Sequence, residues 1–144
     1  MSLDEIKEKF VGKWKLDRSE NFEAFLAVVG VNALLRKVAS KTSPTMEIRV
    51  EDDDRIKITM KMGFMNQVDL FNMDEEFLKE VQGTVMKAIV TWEDGKLKME
   101  NTPVDPKSEV KPQTVYRERI DDEIIITIHC ADVICKRYMK KIGD

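Results

Sequence analysis

The sequence predicts a mainly β protein, a ten-stranded antiparallel up-and-down β-barrel capped by a short helix-turn-helix lid. From Pro44 onward, apolar and polar residues alternate with period 2 in one segment after another, as strands with one buried face require. Turn-forming clusters separate these segments at intervals of roughly 8 to 12 residues, the spacing of a meander. Ahead of them Phe22, Phe25, Leu26 and Val29 recur at i, i+3, i+4 and i+7, which places them on one stripe of a helix.

In chain order, the first strand is expected at 11–16, around Trp14, and to break at a polar hinge. Asn21 is placed to cap the first lid helix, and Glu23 adds a negative charge to its first turn, where the dipole favours one. Gly30 stops that helix. Asn32 then caps a second, with Leu34, Leu35 and Val38 on one side and Arg36 and Lys37 toward the other, giving a helical hairpin over about 21–41. Met46, Ile48 and Val50 alternate with Thr45, Glu47 and Arg49 in the next strand, which ends in the acidic turn 51–54. Over 55–64, Ile56, Ile58, Met60, Met62 and Phe64 share one face, while Arg55, Lys57, Thr59, Lys61 and Gly63 share the other. Further strands are expected at 67–71, 76–81, 84–91, 96–100, 114–120, 123–129 and 133–140, with Glu93-Asp94-Gly95 and Asp121-Asp122 as turns. Three prolines make 102–112 an extended hairpin loop. A meander of this length curls or closes to remove its edges.

At 144 residues the chain fits one domain, 1–144, large enough to bury a core without disulfides or metals. Its 24 basic and 27 acidic residues give a net charge of -3, which argues against a nucleic-acid partner. Charges recur through the first nine residues where a signal peptide needs an apolar core, and no run approaches a membrane span. Ser2 stands where myristoylation requires glycine, so a cytoplasmic location is expected. Cys130 and Cys135 then read as free thiols. The single histidine, His129, lies beside a predicted turn and nothing in the spacing orients it next to a nucleophile, so no catalytic residue is expected. With Cys130 and Cys135 it is too sparse for a zinc site. Asp52-Asp53-Asp54 lacks the spacing of a calcium loop, and no glycine-rich phosphate loop occurs, so neither metal nor cofactor is expected.

Gly12-Lys13-Trp14 followed by Asn21-Phe22-Glu23 resembles the N-terminal signature of the intracellular lipid-binding proteins, the fatty-acid-binding and cellular retinoid-binding family. Similar correspondences run through Arg36-Lys37-Val38-Ala39-Ser40, Pro44-Thr45, Gly63-Phe64-Met65-Asn66, Phe71, Phe77 and Asp94 to Leu97. Tyr116-Arg117-Glu118 and Cys135-Lys136-Arg137 fall in register with the family's two anion-binding arginines. The resemblance implies a clam-like barrel and a monomeric, non-enzymatic carrier of a long-chain fatty acid. Retinoic acid or another hydrophobic carboxylate is the alternative cargo. It implies a ligand site of Arg117, Arg137, Phe22, Phe64, Pro44, Met60, Met62, Val115 and Met139. Met139 stands where the family has a tyrosine, and Tyr138, one residue early, is expected on the opposite face.

Alternation makes the arginines notable without the family. Val133, Cys135, Arg137 and Met139 share a face that is otherwise apolar, and an unpaired guanidinium there needs an anion or water. Arg117 is expected two strands away, roughly 10 Å at about 4.8 Å per step, so that two planar guanidiniums converge on one carboxylate. Arg119 shares that face but sits by the Asp121-Asp122 turn and reads as an ordinary strand-end residue. The inward methionines suit an adaptable cavity or simple core filling. About fourteen buried methylenes at roughly 0.8 kcal/mol each supply on the order of 11 kcal/mol, enough for a nanomolar to micromolar carrier after ordering costs. On the lid, Arg36, Lys37 and Lys41 outnumber Glu23, a local charge excess suited to transient contact with acidic membranes or a partner during delivery.

Overall fold

The computed structural model describes residues 2–63, 66–81 and 83–144. Ten strands form one antiparallel sheet: β1 (Gly12–Glu20), β2 (Thr45–Val50), β3 (Ile56–Lys61), β4 (Asn66–Phe71), β5 (Phe77–Val81), β6 (Thr84–Glu93), β7 (Lys96–Pro103), β8 (Gln113–Ile120), β9 (Glu123–Cys130) and β10 (Val133–Gly143). Their order is β4-β3-β2-β1-β10-β9-β8-β7-β6-β5, so β1 joins the first four strands to the last. The sheet curls into a nearly closed barrel. β4 and β5 are consecutive in sequence, yet each is a sheet edge and they are not hydrogen-bonded to one another. Side chains span that seam instead: Phe71 and Phe77 stack at 5.2 Å, and Lys79 Nζ lies 2.9 Å from the Asp69 carboxylate.

Period 2 does what it should in such a sheet. Met46, Ile48, Ile56, Ile58, Val90, Leu97, Met99, Ile124 and Ile126 turn inward and form a continuous apolar core, while their charged neighbours face solvent. The 102–112 segment links β7 to β8, whose pairing begins at Asn101 and Gln113. β7 itself runs past the expected end at 100, because Thr102 and Pro103 still pair with β6. Pro103 is tolerated there as the last residue of its strand.

Three features depart from the expectation. First, Ser2–Lys9 forms a helix, α1, that the frequent charges concealed. Ile6 and Phe10 are fully buried, and Phe10 meets Trp92 edge-to-face at 5.9 Å, so this segment plugs the end of the barrel opposite the lid. Trp14 Nε1 donates to the Phe10 carbonyl at 3.1 Å, which locks the turn between plug and first strand. Second, β1 does not break at Leu16 but continues to Glu20, with a register shift against β10 between Leu16 and Arg18. An irregularity of this kind bends a strand and keeps it paired. Third, β3 ends at Lys61, so Met62 lies beyond the strand, and Phe64 lies outside the described residues.

The glycine of the N-terminal signature has a steric cause. Gly12 has φ +147, and a Cβ there would sit 2.9 Å from the Gly143 carbonyl oxygen and 3.0 Å from Lys141 Cε. Gly12→Ala is therefore expected to cost about 1–3 kcal/mol in denaturant unfolding. A loss below measurement error would show that the β1–β10 junction relaxes freely.

The lid consists of α2 (Phe22–Val28) and α3 (Ala33–Ser40). Asn32 caps α3 as expected, its Oδ1 accepting from Leu35 N at 2.9 Å. Asn21 occupies the cap position of α2 but not the capping role. It has a left-handed backbone, φ 59, and its Nδ2 donates to the Ile134 carbonyl at 3.1 Å, tying the lid entry to β10. The apolar side of α3 is not packed inward: Leu34 is 73% exposed, with Leu35 and Val38 also exposed, and only Ala39 is buried. Among the described residues no helix is long and apolar enough to cross a membrane.

Candidate functional site

Arg137, Ile126 and Arg117 occupy one row across three adjacent strands, since Arg137 pairs with Ile126 on β10–β9 and Ile126 with Arg117 on β9–β8. Residues directly opposite one another point to the same side, so both arginines face the barrel interior. Each is buried, at 8% and 7% exposure. The row continues to Leu97 on β7, and the next row toward the lid contains Cys135, Ile128 and Val115. Two cations thus sit in two rows that are otherwise apolar.

The two guanidiniums have different surroundings. Arg137 lies 3.6 Å from the ring centre of Phe22, so the lid's first helix rests on it through a cation–π contact. Burial pulls its pKa down to about 10, against the opposing influence of Cys135. Burial likewise lowers Arg117, and the charge that opposes this is Asp69. Nε of Arg117 and Oδ1 of Asn101 are buried without a hydrogen-bond partner among the described residues. Buried polar atoms are nearly always paired with protein, water or ligand, so these two are exceptional among the groups of the barrel interior.

A cleft of about 560 Å³ opens between β1 and the lid, a volume suited to small molecules. Leu16 to Ser19, the start of α2 and the segment 39–43 line it, together with Phe22 and Arg137. Of the nine residues expected at the ligand site, these two meet here. Arg117 and Val115 lie in the interior wall. Met139 is 1% exposed within the core, and Met60 packs against that core. Pro44 is buried where the chain leaves the lid, its carbonyl accepting Leu16 N at 3.0 Å. Met62 is half-buried past the end of β3.

Tyr138 faces outward, as its offset requires. Its hydroxyl lies 2.9 Å from Glu20 Oε1, and the Arg18 guanidinium stacks 4.0 Å above its ring. Arg119 is satisfied locally, donating to the carbonyls of Asp121 at 2.6 Å and Lys9 at 2.7 Å. The second bond caps the last turn of α1, so this arginine holds the plug.

Sequence reasoning missed Asp69 and Lys79. Both are inward-facing, their side chains 9% and 10% exposed, and Lys79 Nζ also lies 3.7 Å from Met99 Sδ. The signal was present in the alternation: Asp69 lies two residues before the inward Phe71, and Lys79 two after Phe77. Asp69 and Lys79 cancel in charge, leaving the two arginines as the net charge of the interior among the described residues.

A small curled β-barrel with a two-helix lid and buried cations in an apolar wall is the architecture of a container for amphipathic molecules. The chain belongs to the lipocalin / cytosolic fatty-acid binding protein family, whose profile matches residues 11–137. It is 36% identical over 133 residues to cellular retinoic acid-binding protein 1 of Pelodiscus sinensis, covering 89% of this chain and 94% of that protein. It is 34% identical over 137 residues to the muscle fatty acid-binding protein of Schistocerca gregaria, covering 94% of this chain and 98% of that one. Among solved structures, apo lipid binding protein 8 of Caenorhabditis elegans superposes with a TM-score of 0.86 at 30% identity, covering 94% of this chain and 96% of that one.

Proposed function

We propose that the protein is a non-enzymatic carrier that holds a long-chain fatty acid in the barrel, with the carboxylate at Arg137 and Arg117. The observation that carries this reading is the pair of buried guanidiniums in one row of an apolar wall, neither in a salt bridge among the described residues. An ionised carboxylate supplies the missing partner, and its acyl chain is the group an apolar interior accepts. The relatives named above include both a fatty-acid binder and a retinoic-acid binder. Retinoic acid, a second hydrophobic carboxylate, is therefore the second reading. Titration with a fluorescent fatty acid and with retinoic acid separates them. Dissociation constants above about 10 µM for both overturn the carrier reading, since a carrier needs tighter binding than that.

The lid supplies the route of delivery in this proposal. Leu34 and Leu35 project from α3 beside Arg36, Lys37 and Lys41, an apolar tip flanked by cations, which fits the interface of an acidic bilayer. Replacing both leucines by serine is expected to slow ligand transfer to anionic vesicles several-fold while leaving the dissociation constant unchanged. Unaltered transfer rates, equal on neutral and anionic vesicles, remove the membrane route.

A further inference from the structure

We propose that Lys79 is a covalent capture site for long-chain aldehydes, which it holds in the barrel as an imine beside Asp69. This rests on the carrier reading, because the aldehyde's chain occupies the same interior as a fatty acid's.

Lys79 is placed for this chemistry by its strand. It alternates with the inward Phe77 on β5 and sits opposite the buried Met86 on β6, so its four-carbon stem runs into the apolar interior. Its ammonium touches one carboxylate, Asp69 at 2.9 Å, and one thioether, Met99 Sδ at 3.7 Å. Most protein lysines are exposed, strongly hydrated and protonated. Here burial lowers the pKa of the amine and the cationic Arg117 lowers it further, while Asp69 opposes both. A desolvated lysine beside a second cation is the recurring arrangement for imine formation with carbonyl compounds.

The surrounding groups balance each step. Asp69 accepts the ammonium proton, and the freed nitrogen lone pair attacks the aldehyde carbon while the carbonyl π pair moves to oxygen. The unpartnered Nε–H of Arg117 is the donor nearest in character to what that oxygen needs. After proton transfer from nitrogen to oxygen, the carbinolamine hydroxyl takes back the proton held by Asp69 and leaves as water, while the nitrogen lone pair forms the C=N bond. The product is a protonated imine facing the Asp69 carboxylate, so the charge pair across the β4–β5 seam is conserved. Water reverses the reaction and releases the aldehyde, and no oxidant or reductant takes part. A neutral aldehyde also needs no cationic partner, which leaves Arg137 free of any role in its capture.

The experiment incubates the intact protein with hexadecanal at neutral pH, traps imines with cyanoborohydride and maps the modified lysine by peptide mass spectrometry. Lys79 is expected to carry the adduct at least about tenfold in excess of exposed lysines such as Lys37 or Lys107, because the barrel confines the aldehyde chain beside it. Palmitate in excess is expected to abolish the adduct at Lys79 and spare the surface background. Lys79→Arg keeps the charge opposite Asp69 and is expected to retain palmitate binding while losing the adduct. Labelling spread over surface lysines with Lys79 unmodified overturns the proposal, and wild-type mapping alone decides this if the variant does not fold. If palmitate binds and Lys79 stays unlabelled, aldehyde capture fails and the carrier reading stands. If neither palmitate nor hexadecanal enters, the carrier reading itself fails.

Discussion

Arg137→Gln is expected to weaken binding of palmitate roughly ten- to hundredfold while changing hexadecanol binding little. A charge-assisted hydrogen bond contributes about 1.5–3 kcal/mol, and that range converts to this factor. The alcohol arm matters because Arg137 does two things. It offers the anion site, and it supports Phe22 of α2 at 3.6 Å. Loss of the second role loosens the lid for both ligands, whereas loss of the first affects only the carboxylate. Equal losses for acid and alcohol would show that the arginine does not read the head group. Arg117→Gln extends the test, because Arg117 already feels Asp69. Its removal is expected to cost palmitate less than removal of Arg137, which is flanked by Cys135 and the Phe22 ring.

Phe10→Ala is expected to lower stability by about 3–5 kcal/mol in equilibrium denaturation, the range for truncating a buried phenylalanine. The ring is fully buried and meets Trp92 edge-to-face, and the carbonyl of the same residue receives the Trp14 indole proton. Truncation leaves a void between plug and barrel wall, with Trp92 in its lining. Little rearrangement is open to α1, because Arg119 fixes its last turn through the Lys9 carbonyl. A loss under about 1 kcal/mol would mean that the plug detaches at little cost, well below what deletion from a packed core produces. Tryptophan fluorescence follows the same transition, since Trp14 and Trp92 both adjoin the site.

Much of the barrel was legible because its causes are local. Alternation at 46–50, 55–61 and 133–139 is visible residue by residue, and the strand ends coincide with Asp-Gly and Asp-Asp turns. Arg117 and Arg137 were legible as inward residues for the same reason. What escaped depends on partners distant in sequence. α1 carries charges at most positions, and only its contact with Trp92, some eighty residues on, explains why Ile6 and Phe10 turn inward. Asn21 looked like a cap by type and position, but the Ile134 carbonyl competes for its side chain. Leu34, Leu35 and Val38 have helical spacing, yet no core lies beneath them. Asp69 and Lys79 are each implausible as inward residues when taken singly. Each becomes acceptable only opposite the other.

That buried pair also bears on what the two edges of the sheet offer to a second chain. β4 and β5 are the two edges of the sheet, and edges offer unpaired backbone groups to any extended chain. Both are short, six and five residues, and each points a charge inward. A foreign strand added to either edge would wedge the seam apart and leave an uncompensated ion inside the barrel. Asp69 and Lys79 therefore disfavour strand addition at either edge as well as closing the wall. Apolar replacements at both positions would leave the barrel closed by Phe71 and Phe77 alone while removing the penalty that keeps its edges from recruiting neighbours.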